Sequence, residues 1–458
     1  MEKMKENKMG TMPINRLILT ISLPMIASML ISSLYNIVDS IFVAQINEKA
    51  LTAVSMAFPI QNLMVAVQVG TGVGMNALLS RQLGERKEKD ARITASNGIL
   101  LGVFHYLIFL VLGLTLVEYF FTSQTSDIEI IQYGEKYLSI IMIWSFGQFI
   151  QMTYERIMQS TGQTLYTMYT QGLGAIINII LDPIMIFGWF GFPALGMTGA
   201  AYATVIGQII AGGFAVYMHE KKNKELTVDY KNIRPDKATL KEIYRVGIPS
   251  MIMTSITSVT TYVINIILLG FTSTATAVYG VYFKLQTFIF MPVYGLTNGM
   301  IPILSYNYGA KNKNRMVKII KYSIAYAVGI MLIGFAIFQI FPEFLLNLFN
   351  ASGEMINIGV PSLRIISISF LLAGFGIMCG TIFQAFGRGL LSLTVSILRQ
   401  VVVLLPVAYL LSLSGNVHVI WWAHPISELF SATLCAFFLR YIFKKYIYPL
   451  EDNSTLLS

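Results

Sequence analysis

Apolar residues run along this chain in twelve long stretches separated by polar ones. They fall at about 17–43, 51–79, 94–117, 132–154, 165–190 and 196–218, and resume at about 246–271, 277–306, 318–341, 359–384, 391–413 and 418–443. Each reaches the roughly 20 residues that a helix needs to cross a bilayer. The runs are continuous rather than alternating and too long for barrel strands of about 10 residues. The pattern therefore predicts an all-α integral membrane protein with twelve transmembrane helices. Composition agrees: only 12% of the 458 residues are charged and 55% are hydrophobic. A soluble domain carries about 25% charged residues, so this chain cannot cover a large water-facing surface.

The formal net charge of +9 would suggest nucleic acid in a soluble protein. Here the bases sit in loops, on alternate sides of successive spans. Lys3, Lys5, Lys8 and Arg16 precede span 1. Arg81, Arg86, Lys87, Lys89 and Arg92 come after span 2, and Lys221 through Arg245 after span 6. Lys311 through Lys321 come after span 8, and Lys444 and Lys445 after span 12. The opposite loops carry little more than Lys49 and Lys136. This bias predicts a multi-pass membrane protein with both termini cytoplasmic. No nucleic-acid partner and no cleavable signal peptide are expected. Cys379 and Cys435 lie in apolar runs without metal-ligand spacing and read as small core residues.

The chain also repeats. With Pro24 placed on Pro249, Ala50 meets Ala275, Gln61 meets Gln286, Gly70 and Gly74 meet Gly295 and Gly299, and Gly162 meets Gly387, all without a gap. The register predicts two pseudo-symmetric six-helix lobes, residues 1–218 and 245–446, joined by a basic linker at 219–244, with a tail at 447–458. An even number of spans per lobe gives the repeats one orientation, an arrangement that transporters use with the substrate bound between repeats.

Ionisable groups at membrane depth are costly and are functional candidates. In the first lobe these are Asp39, Asp182 and Glu155, with Asn178 four residues before Asp182 and so on the same helix face. Three carboxylates and an amide suit a proton or a small hard cation, and crowding favours a proton retained among them. Each also has a structural reading: hydrogen-bonding glue for Asp39, Asn178 and Asp182, and a pair with Arg156 for Glu155. The second-lobe candidates are Lys284, Arg364, Arg399 and Glu428. Lys284 and Glu428 are expected to form a buried pair, and Arg364 to snorkel from a span end. Pro24, Pro249, Pro292 and Pro406 are expected to interrupt helices, and Pro24 is the candidate hinge. No catalytic triad, zinc or haem spacing and no phosphate loop is present, so no enzyme and no cofactor is expected.

Pro24, Val38-Asp39-Ser-Ile-Phe-Val, Ala50-Leu-Thr-Ala-Val, Gly70 to Gly84, Gly162, Asn178 to Pro183, and Trp421-Trp422-Ala423-His424-Pro425 through Glu428 together resemble the MATE (multidrug and toxic compound extrusion) family, closest to its MepA-like branch. The resemblance implies a V-shaped antiporter of twelve helices. It would act as a monomer, exporting organic cations or drugs by alternating access against H⁺ or Na⁺, with H⁺ favoured. It also implies an ion site at Asp39, Asn178 and Asp182, where Na⁺ is the alternative ion, and a bend at Pro24. Glu155 stands where the family often has Asn. A lipid-linked oligosaccharide flippase of the same superfamily and a non-transporting membrane receptor are the alternatives.

Overall fold

The structure, a computed structural model, describes residues 7–450 apart from 229, 231 and 232. Lys3, Lys5, Lys231 and the tail beyond 450 lie outside the described residues. The long helices of the first half are α1 (Ile14–Ala44), α2 (Glu48–Gly84), α3 (Glu88–Thr115), α4 (Ile128–Ile143), α5 (Phe146–Ser160), α6 (Thr164–Phe187) and α7 (Met197–Lys222). Those of the second half are α8 (Lys237–Leu269), α9 (Ser273–Gly309), α10 (Lys313–Ile340), α11 (Gly353–Ser367), α12 (Phe370–Ala385), α13 (Gly389–Ile397), α14 (Leu405–Ser412) and α15 (Ala423–Ile442). A π-helix, Leu398–Leu404, joins α13 to α14. Among the described residues there are no strands.

The repeat extends to element ends. Helix α2 starts at 48 and ends at 84, and α9 starts at 273 and ends at 309, a displacement of 225 at both ends. Helices α3 and α10 keep the same displacement. So do the caps: Asn47 Oδ1 accepts from the Ala50 amide, and Thr272 Oγ1 from the Ala275 amide. A capping side chain satisfies an amide that the helix start leaves unpaired, so each repeat fixes its second span in the same way. Gly162 and Gly387 take the same left-handed turn, φ 80° and 71°, before α6 and α13, a conformation that a Cβ disfavours.

Among the described residues, ten helical segments are long and apolar enough to cross a membrane alone, and α11 with α12, bent by 49° at their junction, makes an eleventh. The predicted fourth run is its counterpart in the first half. It folds as α4 and α5, interrupted at Trp144 and Ser145. Gln148, Gln151, Glu155 and Arg156 dilute its apolar character. Of these, Glu155 and Arg156 are buried. The prolines do not break their helices as expected: α1 runs on through Pro24, α8 through Pro249 and α9 through Pro292.

By their contacts the residues form two compact units, Ala27–Gly247 and Met1–Ile26 with Ile248–Ser458. The expected lobe limits at 218 and 245 differ from these. Each shared helix changes unit beside its proline: α1 after Ile26, two residues past Pro24, and α8 after Gly247, two residues before Pro249. In the 27–247 unit, Met64, Phe109, Phe121, Tyr137 and Phe149 are buried together. In the other unit the core includes Trp421, Phe338, Phe370 and Phe383. Leu23, Phe104, Leu114, Ile333 and Phe437 stand exposed, the side chains that lipid tails would cover.

The basic segment after α7 is packed rather than simply solvated. Leu226 is buried. Asn97 of α3 accepts from the Asp236 amide at 2.9 Å and donates to the Arg234 carbonyl at 3.3 Å. Asp236 caps α8, accepting from the Thr239 amide at 2.8 Å and hydroxyl at 2.6 Å. These bonds hold its carboxyl below the usual range, so the cap persists in mild acid. Tyr244 then bonds His105 Nε2 at 2.9 Å. The start of α8 is thereby tied to α3.

Candidate functional site

Polar side chains recur at three-, four- and seven-residue steps on four apolar helices, which places them on single faces. On α6 these are Thr167, Gln171, Asn178 and Asp182; on α1, Ser32, Tyr35 and Asp39. On α5 they are Gln148, Gln151 and Glu155, and on α7 Thr204 and Gln208. All lie in the 27–247 unit. Nine of them, from Ser32 to Gln208, line one cavity of about 140 Å³. What brings α6 and α7 together is glycine. A Cβ on Gly207 would sit 2.9 Å from the Gly174 carbonyl and 3.5 Å from Asn178 Cβ. The two backbones nearly touch there, and Asn178 faces Thr204. Gly207→Leu is expected to separate them, at a cost of about 1–3 kcal/mol as for other overpacked sites. A thermal unfolding midpoint in detergent equal to wild type would refute this.

Asp182 and Glu155 are 0 and 1% exposed, and Asp39 is 8% exposed. The Asp39 and Asp182 carboxyl groups lie within hydrogen-bonding reach of each other. Neither carboxylate has a proton to donate when ionised, so such a contact requires one shared proton. Asp39 Oδ1 is buried without a protein partner. Asn178 bridges Asp182 to α7. With its amide nitrogen turned to Asp182 it donates to Oδ2 at 3.2 Å, and its oxygen accepts from the Thr204 hydroxyl at 3.3 Å.

Glu155 has a separate set of partners. Its Oε1 accepts from Gln151 Nε2 at 2.9 Å and Thr170 Oγ1 at 2.7 Å, and its Oε2 from Gln171 Nε2 at 2.8 Å. Arg156 points to Gln159 Oε1 at 2.9 Å. The four residues singled out from the sequence thus divide in two. Asp39, Asp182 and Asn178 form one group and Glu155 anchors another, with Asn178 and Glu155 lining the same cavity. Thr204, Thr170, Gln151, Gln171 and Gln208 were not singled out, although all but Thr170 recur on the helix faces given above. Among the described residues no three or more His, Cys, Asp or Glu side chains are grouped to hold a metal ion. A hard cation here would need amide and hydroxyl oxygens as well.

In the other unit the expected Lys284–Glu428 pair does not form. Glu428 pairs with Arg399. Lys284 is exposed, its ammonium 5.9 Å from the Phe349 ring. Arg399 lies at the start of the π-helix. Arg364 is exposed, as a snorkelling side chain would be.

Two repeats of long apolar helices, one unit holding three buried carboxylates, define a polytopic membrane protein of transporter type. The MatE sequence profile matches residues 24–184 and again 249–410, one match per repeat. The chain belongs to the MATE family. It is 30% identical to the multidrug export protein MepA of Staphylococcus haemolyticus (strain JCSC1435) over 437 residues, 95% of this chain and 93% of that one. It is 28% identical to MepA of Staphylococcus aureus (strain MRSA252), covering 97% and 96%. The fold is similar to a multidrug resistance MATE transporter of the MOP superfamily solved in an outward-facing conformation, with TM-score 0.90, 24% identity and coverage of 97% and 99%. It is also similar to a MOP superfamily transporter from Pyrococcus furiosus, with TM-score 0.86, 24% identity and coverage of 97% and 100%.

Proposed function

We propose that this protein exports organic cations and drugs from the cytoplasm by antiport against inward H⁺, exposing its transport site to one face of the membrane at a time. It acts as a monomer in the bacterial cytoplasmic membrane, with both termini cytoplasmic. The observation that carries the reading is the buried contact between the Asp39 and Asp182 carboxyl groups. One proton joins them. Its loss leaves two negative charges face to face in a medium that screens them poorly, and α1 and α6 are then pushed apart. Asp39 lies on α1, fifteen residues past Pro24. Pro24 has no amide proton to return to the preceding turn, so α1 can bend there at lower cost than elsewhere. Protonation at one point of α1 is thereby linked to its path through the membrane. The curated relatives are named as multidrug export proteins, which supports drugs as the cargo. Na⁺ at Asp39, Asn178 and Asp182 is the competing coupling ion.

The test is ethidium transport in proteoliposomes with a pH gradient or a Na⁺ gradient imposed separately. The pH gradient alone is expected to drive transport, with no drive from a Na⁺ gradient at equal pH. Transport driven by Na⁺ alone would overturn the proton assignment.

A further inference from the structure

Around Glu155 the cavity lining leaves hydrogen-bond acceptors without donors. Gln171 turns its amide nitrogen to Glu155 Oε2. This leaves Gln171 Oε1 buried with no hydrogen bond from the protein, and Gln208 Oε1 is in the same condition. Glu155 Oε2 accepts one hydrogen bond, from Gln171, while Oε1 takes two, so Oε2 retains acceptor capacity. Glu155 on α5, Gln171 on α6 and Gln208 on α7, the residues that carry these oxygens, all line one small cavity. Buried acceptors without a donor are costly, and the costs here share one remedy, a cation.

We propose that Glu155 Oε2 with the amide oxygens of Gln171 and Gln208 forms a binding site for a monovalent metal cation, separate from the Asp39–Asp182 proton pair. The ligand class is set by the donors. All are hard oxygens, and one carboxylate supplies one unit of charge, too little for a dedicated Ca²⁺ or Mg²⁺ site. The cavity of about 140 Å³ is well below the roughly 300–1,000 Å³ of drug-sized pockets, but it has room for an ion that keeps part of its water. Ser32 and Tyr35 of α1 line the same cavity, so a bound ion would connect α5, α6 and α7 through fixed ligands and reach α1 through its water. The cation acts as a bound ligand rather than as the driving ion. The proposal rests on the antiport reading only in assigning the proton to Asp39 and Asp182.

The test is equilibrium binding of ²²Na⁺ to the purified full-length protein in detergent at pH 8, with choline as the replacement cation. Wild type is expected to bind one Na⁺ saturably, and Na⁺ is expected to raise its thermal unfolding midpoint relative to choline. Glu155→Gln and Gln208→Leu should each weaken binding by roughly 10-fold or more, the usual scale for losing a ligand or its support. Asp39→Asn should bind Na⁺ as wild type does. Gln208→Leu carries the test if Glu155→Gln does not give a monodisperse protein. Absence of saturable binding to wild type, as for a cavity holding water only, would overturn the proposal. So would binding that survives both cavity variants, or binding lost in Asp39→Asn alone. None of these outcomes decides whether a pH gradient drives transport, so the two readings can fail separately.

Discussion

Asp182→Asn is expected to abolish transport driven by a pH gradient while leaving a folded, monodisperse protein. An asparagine at this position can still bond both Asn178 and Asp39, so the buried contacts persist. What disappears is the second carboxyl group, and with it the exchange of one proton per cycle. Proton-driven ethidium accumulation in proteoliposomes should fall by at least about tenfold, the range of coupling free energies between linked sites. Downhill ethidium flux under a concentration gradient alone should be reduced far less. Asp39→Asn should behave likewise, and the double variant should be no worse than either single one, because one shared proton can be lost only once. Undiminished proton-driven accumulation in both single variants would sink the assignment.

The second large effect concerns stability. Glu428→Ala removes the partner of Arg399 and leaves a guanidinium among Tyr282, Tyr294 and His424. Removing one member of a buried pair costs about 3–5 kcal/mol. The Arg399 side chain is 31% exposed and that of Glu428 10%, so the lower end, about 3 kcal/mol, is expected after solvent screening. A much lower thermal unfolding midpoint should result. Arg399→Met combined with Glu428→Leu should recover most of the loss, since two apolar groups leave no charge unpaired. Lys284→Ala should change little, because Lys284 is not the partner. An unchanged midpoint in Glu428→Ala would show that the pair does not contribute.

Hydropathy and loop charge made the spans legible, and the 225-residue register made the repeat legible down to the caps at Asn47 and Thr272. Asp39, Asp182 and Asn178 stood out because charge and amide groups are rare at membrane depth. The rest was hidden for physical reasons. Gln151, Gln171, Thr204 and Gln208 carry no charge, and each looks tolerable when taken singly. Their meaning appears only when four helix faces are brought together, and the approach of α7 to α6 depends on Gly207 having no side chain. The partner of Glu428 was misread because span position alone does not say which of the embedded cations, Lys284 or Arg399, faces it. The span of α4 and α5 was legible as a run but not as two helices, since averaging over a window conceals a break at Trp144 and Ser145.

The sharing of α1 between units has a consequence for biogenesis. Residues before Ile26 leave the ribosome first, yet they are grouped with the second half of the chain. Arg315 donates to the carbonyls of Met9 and Met12, and Asn307 donates to the carbonyl of Met9. Some three hundred residues separate these partners, so at roughly 5–20 residues per second the start of α1 stays unpartnered for tens of seconds during synthesis. The first six spans cannot complete their assembly before α9 and α10 emerge. A chain cut in the linker would yield two fragments that each lack a strip of their own packing, and only joint expression would restore both.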